Sequence, residues 1–250
     1  MKIKSILVSQ PAPTTEKSPY FDLAEKYNLK IDFRQFIQIE GVTAKEFRQE
    51  RINISEYTAI IFTSRTAIDH FFRLCTEMKV QVADTTRYFC ISESIAFYLQ
   101  KYIVYRKRKI FYGESKFEEL IDLIKKYSDE KFLVPLSDIH KEEIPVLLDK
   151  IKINYTKAIM YKTVSADLSD IVDFNYDILV FFSPSGIKSL KQNFPKFQQN
   201  EVAIAAFGPT TAKAVIEESL RLDIQAPTPS ATSMPAALEQ FIKNNLKNCK

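Results

Sequence analysis

Residues 57–72 read YTAIIFTSRTAIDHFF, and residues 176–190 read YDILVFFSPSGIKSL. Each begins with an apolar run rich in Ile, Val and Phe, the mark of a buried strand. It then passes through hydroxyl residues into a segment whose apolar positions recur at helical spacing. A second such unit follows in each half, RYFCISESIAFYLQKY at 87–102 and VAIAAFGPTTAKAVIEE at 202–218. A third ends in predicted helices over 117–127 and 234–244. Identity between the copies is weak but their order is the same, which predicts two similar α/β domains, duplicated or convergent, rather than one long sheet. Predicted strands cover 3–9, 33–39, 59–63, 88–92, 109–112, 132–136, 158–164, 178–182, 202–207 and 223–226. Helices lie between most of them, the alternation expected of parallel sheets flanked by helices.

The turns from strand to helix carry the chemistry. A helix N-terminus leaves backbone N–H groups unpaired at the positive end of its dipole, so a turn of small hydroxyl residues there suits an anion. Four such turns stand out: Thr63-Ser64-Arg65-Thr66, Ser92-Glu93-Ser94, Ser183-Pro184-Ser185-Gly186 and Gly208-Pro209-Thr210-Thr211. Ordinary helix capping accounts for any one alone. In doubly wound sheets, however, all four fall at the carboxyl edges of the strands, and two domains facing each other would line one cleft with N–H donors and hydroxyls. Such a cleft suits a ligand with several carboxylates or phosphates.

Composition narrows the classes. The chain has 250 residues, 46% hydrophobic and 26% charged, which supports a substantial core and sets wholesale disorder aside. A net charge of +4 is too small to signal nucleic-acid binding. With four glycines and neither GxGxxG nor GxxxxGKS/T, dinucleotide and P-loop readings are weak. Cys75, Cys90 and Cys249 are odd in number and form no CxxC, and His70 and His140 are the only histidines, which argues against a disulfide framework or a zinc or His-rich site. Residues 1–20 lack the apolar core of a signal peptide, and no apolar run reaches the roughly 18 residues a membrane span needs. The expectation is a cytoplasmic protein with no membrane partner.

FTSRTAI from Phe62, YKT at 161–163, FFSPSGI from Phe181 and IAAFGPTTAKAV from Ile204 together resemble the uroporphyrinogen-III synthase family. The resemblance runs in order over nearly the whole chain, and the pairing of FSPSG with GPTTA is its most specific part. It implies a discontinuous first domain (1–36 plus 166–250), a second domain (40–155), and two linker strands (33–39 and 156–165) joining them as a ladder, with the ligand cleft between domains. It implies a substrate, hydroxymethylbilane, that bears carboxylates on every pyrrole ring, and its closure with inversion of the terminal ring and loss of water, without cofactor or metal. The pyrroles themselves push out the hydroxymethyl oxygen, so the protein's task is to hold the folded chain and offer a proton donor.

Tyr161, the tyrosine of the family's YxT strand, is the implied donor; the ordinary alternative is a ladder tyrosine sharing its face with Ile159 and Thr163 at period two. Thr63, Ser64, Arg65, Ser92, Ser94, Ser183, Ser185, Gly186, Gly208, Thr210 and Thr211 are implied as carboxylate-holding positions, acting mostly through backbone N–H groups. The chain departs from the family at Gln10-Pro11, where many relatives carry an arginine before the proline. It departs again at Ser92-Glu93-Ser94-Ile95, where many carry GxxT, so this turn is expected to hold an anion less well than the one at Gly208.

His70 is expected on a solvated flank of its helix and His140 in a loop or at a helix start. The basic run Tyr105-Arg106-Lys107-Arg108-Lys109 reads as a solvated sheet edge, with nucleic-acid binding or attraction of a polyanionic substrate as alternatives. A monomer is expected. The competing functional class is a non-catalytic two-domain protein that binds a polyanionic small molecule, and Tyr161 is the residue that discriminates.

Overall fold

The computed structural model describes residues 3–140, 142–171 and 175–248, so Cys249 lies outside the described residues. Two compact units are present: Met1–Gln38 with Val164–Lys250, and Ile39–Thr163. The first opens with β1 (Ser5–Val8), α1 (Pro19–Tyr27) and β2 (Lys30–Phe33). The chain enters the second through β3 (Ile37–Gly41), then forms α2 (Ala44–Gln49), β4 (Ala59–Phe62), α3 (Arg65–Met78), β5 (Arg87–Cys90) and α4 (Glu93–Tyr98). There follow β6 (Ile110–Tyr112), α5 (Glu118–Lys125), β7 (Phe132–Ser137) and α6 (Glu143–Lys150). The long β8 (Tyr155–Ser165) leads back to the first unit, which is completed by β9 (Ile178–Phe181), α7 (Pro184–Asn193), β10 (Ala203–Phe207), α8 (Pro209–Glu217), β11 (Ile224–Ala226) and α9 (Met234–Asn248).

The first unit's sheet has the order β11-β10-β9-β1-β2, all parallel. Its strands are continuous apolar runs because both faces are covered. Ile6, Val8, Ile178 and Val180 pack toward Leu238 of α9, while Leu7, Leu179 and Phe181 pack toward Leu190 of α7 and Val215 of α8. In the second unit the order is β3-β8-β7-β4-β5-β6, with β8, β7, β4, β5 and β6 parallel. Here Ile60 and Phe62 face α3 and Ala59 and Ile61 face the opposite cluster with Leu120 and Leu148. Phe62 is fully buried against Phe71 and Tyr88; truncating such a side chain costs about 3–5 kcal/mol.

One predicted strand is corrected. The stretch 33–39 is two strands: Lys30–Phe33 adds to the edge of the first sheet, and Ile37–Gly41 joins the second. The break between them is a packing event. The Arg34 N–H still donates to the Val8 carbonyl at 3.0 Å, but Phe36 then buries completely, edge-on to Phe181 at 5.6 Å, and pulls the backbone out of the ladder.

Candidate active site

Each of the four turns leads from a parallel strand into a helix. In the second unit the chain runs from β4 outward to β5 and β6 on one side and places β7 and β8 on the other. The carboxyl ends of β4 and β7 therefore flank a topological switch point, where doubly wound sheets bind ligands. Ser64 caps α3 there, its hydroxyl accepting the Ala67 N–H at 3.0 Å. The same hydroxyl lies 3.2 Å from the Tyr161 phenol oxygen. Thr63 precedes it half-buried, and exposed Arg65 lays its guanidinium 5.4 Å over the Tyr98 ring.

A register slip aims Tyr161. Leu136 pairs with Ile159, but Ser137 pairs with Tyr161, so β8 carries one extra residue. A bulge of this kind re-aims the side chains beyond it. Tyr161 accordingly joins Ala158 and Met160 in the cluster under α3, 8% exposed, instead of sharing the face of Ile159 as strict period two requires. Asp138 braces the slip. Its N–H donates to the Tyr161 carbonyl at 3.1 Å, and its carboxylate accepts the N–H groups of Thr163 and Ile139 at 2.9 Å each.

His70 is not merely solvated, as its helical position suggests. Its ring stacks on Tyr161 with centroids 5.1 Å apart and planes inclined 17°. The Arg73 Nε–H donates to its Nδ1 at 3.2 Å, and Arg73 Nη2 donates to the Val42 carbonyl at 2.7 Å. Burial, and then the Arg73 charge, hold the His70 pKa below its usual range; with Nδ1 accepting, the neutral ring keeps its proton on Nε2. Gly41 makes room: a Cβ there would meet Arg73 Nη2 at 2.7 Å and His70 Nδ1 at 2.9 Å. Arg73, Gly41 and Asp138 were not singled out from the sequence. The only sequence signal is the His70-x-x-Arg73 spacing, which puts the two on one helix face.

The companion turn after β5 is weaker. Ser92 makes no side-chain cap bond, its hydroxyl lying 3.1 Å from that of Ser94, and the Glu93 carboxylate takes the Tyr112 hydroxyl at 3.0 Å.

In the first unit the switch point lies between β1 and β9. Ser183 caps α7 by accepting the Gly186 N–H at 3.2 Å, with Pro184 at the first helical position and Ser185 beside it. Gly186 is tight, since a Cβ would meet Phe181 at 3.3 Å and the Ser9 hydroxyl at 3.8 Å. Gln10 is exposed at the end of this edge. After β10, Gly208 enters α8 with φ 85° and ψ 153°, and nothing lies within 4 Å of where a Cβ would stand. Thr210 is exposed and Thr211 buried, and the first N–H returned to the helix is that of Ala212, to the Gly208 carbonyl at 3.1 Å. The amides of Thr210 and Thr211 thus have no partner within the helix.

These features define a class: paired doubly wound α/β units that present helix N-termini at the carboxyl edges of parallel sheets, suited to anionic groups. Solved structures share the fold. One is uroporphyrinogen-III synthetase from Helicobacter pylori, 18% identical, covering 97% of this chain and 100% of its own with a TM-score of 0.58. Another is a mutant uroporphyrinogen III synthase from the extremely thermophilic bacterium Thermus thermophilus, 14% identical, covering 98% and 99% with a TM-score of 0.51. Comparison with curated protein sequences gives no match. The family model of uroporphyrinogen-III synthase HemD matches residues 20–236, and the chain belongs to that family of cofactor-free lyases of haem biosynthesis, which act on hydroxymethylbilane. Among the described residues no helix is long and apolar enough to cross a membrane.

Proposed function

We propose that Tyr161 donates the proton in closure of hydroxymethylbilane to uroporphyrinogen III, while the carboxyl-edge turns of each unit hold the substrate's carboxylates. The contact that carries this reading is the 3.2 Å approach of the Tyr161 phenol to Ser64. The Ser64 oxygen already accepts the Ala67 N–H, so its own proton can be donated to the phenol oxygen. That leaves the phenol's proton for the departing hydroxymethyl oxygen and stabilises the phenolate that remains. Water leaves, and the azafulvene so formed is attacked by the substituted carbon of the terminal ring. The spiro intermediate fragments and recloses with the ring inverted. The proton released on reclosure returns to the phenolate, so the step balances with one water lost.

His70, packed flat against Tyr161 and held by Arg73, keeps the phenol in place as a positioning residue. Backbone amides at Arg65, Thr66, Ser185, Thr210 and Thr211 act on the carboxylates, which is why so few charged side chains are required. The protein works as a cytoplasmic monomer in this reading.

The test is an isomer assay. Fresh hydroxymethylbilane is added, the products are oxidised, and the uroporphyrins are separated by chromatography. The expected result is a dominant type III peak. Only the type I isomer, which the bilane forms unaided, overturns the reading.

A further inference from the structure

A cavity of about 480 Å³ opens in the second unit at the opposite end of the sheet from the turns. It lies where the chain enters β5 and β6, beside the last turns of α3 and the loop 80–86. From Thr86, just before β5, to Ser92, just after it, the strand rise sets the separation at about 20 Å. Its volume falls in the range of small-molecule sites, about 300–1,000 Å³.

The lining is specific in three ways. One wall is aromatic, with Phe72 and Tyr102 parallel at 4.6 Å. Cys75 adds to the apolar surface, because burial pushes its thiol up to about 12 and keeps it protonated. Second, Thr86 and Tyr88 line the cavity at 2% and 5% exposure, and neither hydroxyl has a hydrogen-bond partner among the described residues. With no partner and not sealed in the core, both hydroxyls open onto the cavity. Third, Arg106 and Lys109, from the basic run 105–109, stand at the lining with no ion pair among the described residues, against the single acid Asp84. Val104 is 78% exposed beside them, an apolar side chain with nothing over it.

We infer that this cavity is a second ligand site, for a small aromatic acid. The ring system lies against the Phe72–Tyr102 wall, its acidic group meets Arg106 and Lys109, and Thr86 and Tyr88 supply the polar contacts. The excess of one positive charge in the lining favours a monoanion. Cyclisation is assigned to the other end of the sheet, so the two sites are testable apart.

The experiment is fluorescence titration of the full chain with 1-anilinonaphthalene-8-sulfonate and with N-phenyl-1-naphthylamine, the same skeleton without the acid. The expected result is saturable binding of one sulfonate probe per chain. Ala83→Trp, an exposed position at the cavity, should weaken both probes at least about tenfold by filling it. The Arg106→Glu/Lys109→Glu pair should weaken the sulfonate at least about tenfold and the neutral probe less than about twofold. Both variants should keep the wild-type rate of type III formation and melting midpoint. Non-saturating binding, or binding unchanged by Ala83→Trp, overturns the site; equal loss of both probes in the charge variant overturns its assignment to an acid.

Discussion

The two strand-to-helix turns of the second unit and the two of the first share one plan, and they differ most in the second member of each pair. Ser64 and Ser183 are alike, each an extended N-cap whose hydroxyl takes an amide three residues on. Ser92 and Gly208 are not. Ser92 leaves its cap bond unmade and is followed by an acid, whereas Gly208 adopts a backbone conformation open to glycine and keeps the space before α8 clear. The second unit differs at its first turn too, where Tyr161 is brought against Ser64 and His70 stacks on Tyr161. In the proposed mechanism, anion holding is therefore concentrated in the first unit and proton donation in the second.

The comparison breaks first at Tyr161. Tyr161→Phe should lower the rate of type III formation at least about tenfold with the melting temperature unchanged, the scale expected of a lost proton donor; equal rates would remove the phenol from the mechanism. Next in size is Gly208→Ala, which forces an L-residue to a φ of 85°. A loss of about 1–3 kcal/mol in urea unfolding is expected, from conformation and not crowding. Gly186→Ala is its control. The 3.3 Å approach to Phe181 is offset by alanine's helix preference, so the change should stay within about 1 kcal/mol.

Smaller again is the contrast of caps. Ser64→Ala should cost about 1 kcal/mol of stability, and Ser92→Ala, which breaks no cap bond, no more than about 0.5 kcal/mol. The smallest effect concerns pH. Because the folded pKa of His70 is depressed below 6.5, the unfolded chain binds the proton first, and stability is lost as pH falls from about that value through the folded one. His70→Gln should flatten this part of the denaturation midpoint against pH; an unchanged slope would place the His70 ring in a more solvated setting than the stack on Tyr161.

Much of this was legible in the residues. Buried parallel strands must be apolar on both faces, so AIIF at 59–62 and ILVF at 178–181 announce themselves. Caps are equally local, since Ser64 and Ser183 need only the amide three residues on. The strand Lys30–Phe33 was not legible: KIDF has one apolar face, and its neighbour Phe36 leaves the ladder only because Phe181 is there to receive it.

The sequence by itself determined the alternation of strands and helices, the two-unit plan and the positions of the four strand-to-helix turns, because hydrophobic period and capping act within a few residues of the chain. Tertiary structure decided which turn has a tyrosine and a histidine packed beside it. The face of Tyr161 depends on a one-residue slip against β7, and the setting of His70 depends on Arg73 and on the absent side chain of Gly41. These are contacts between strands and helices far apart in the chain, and no local pattern encodes them.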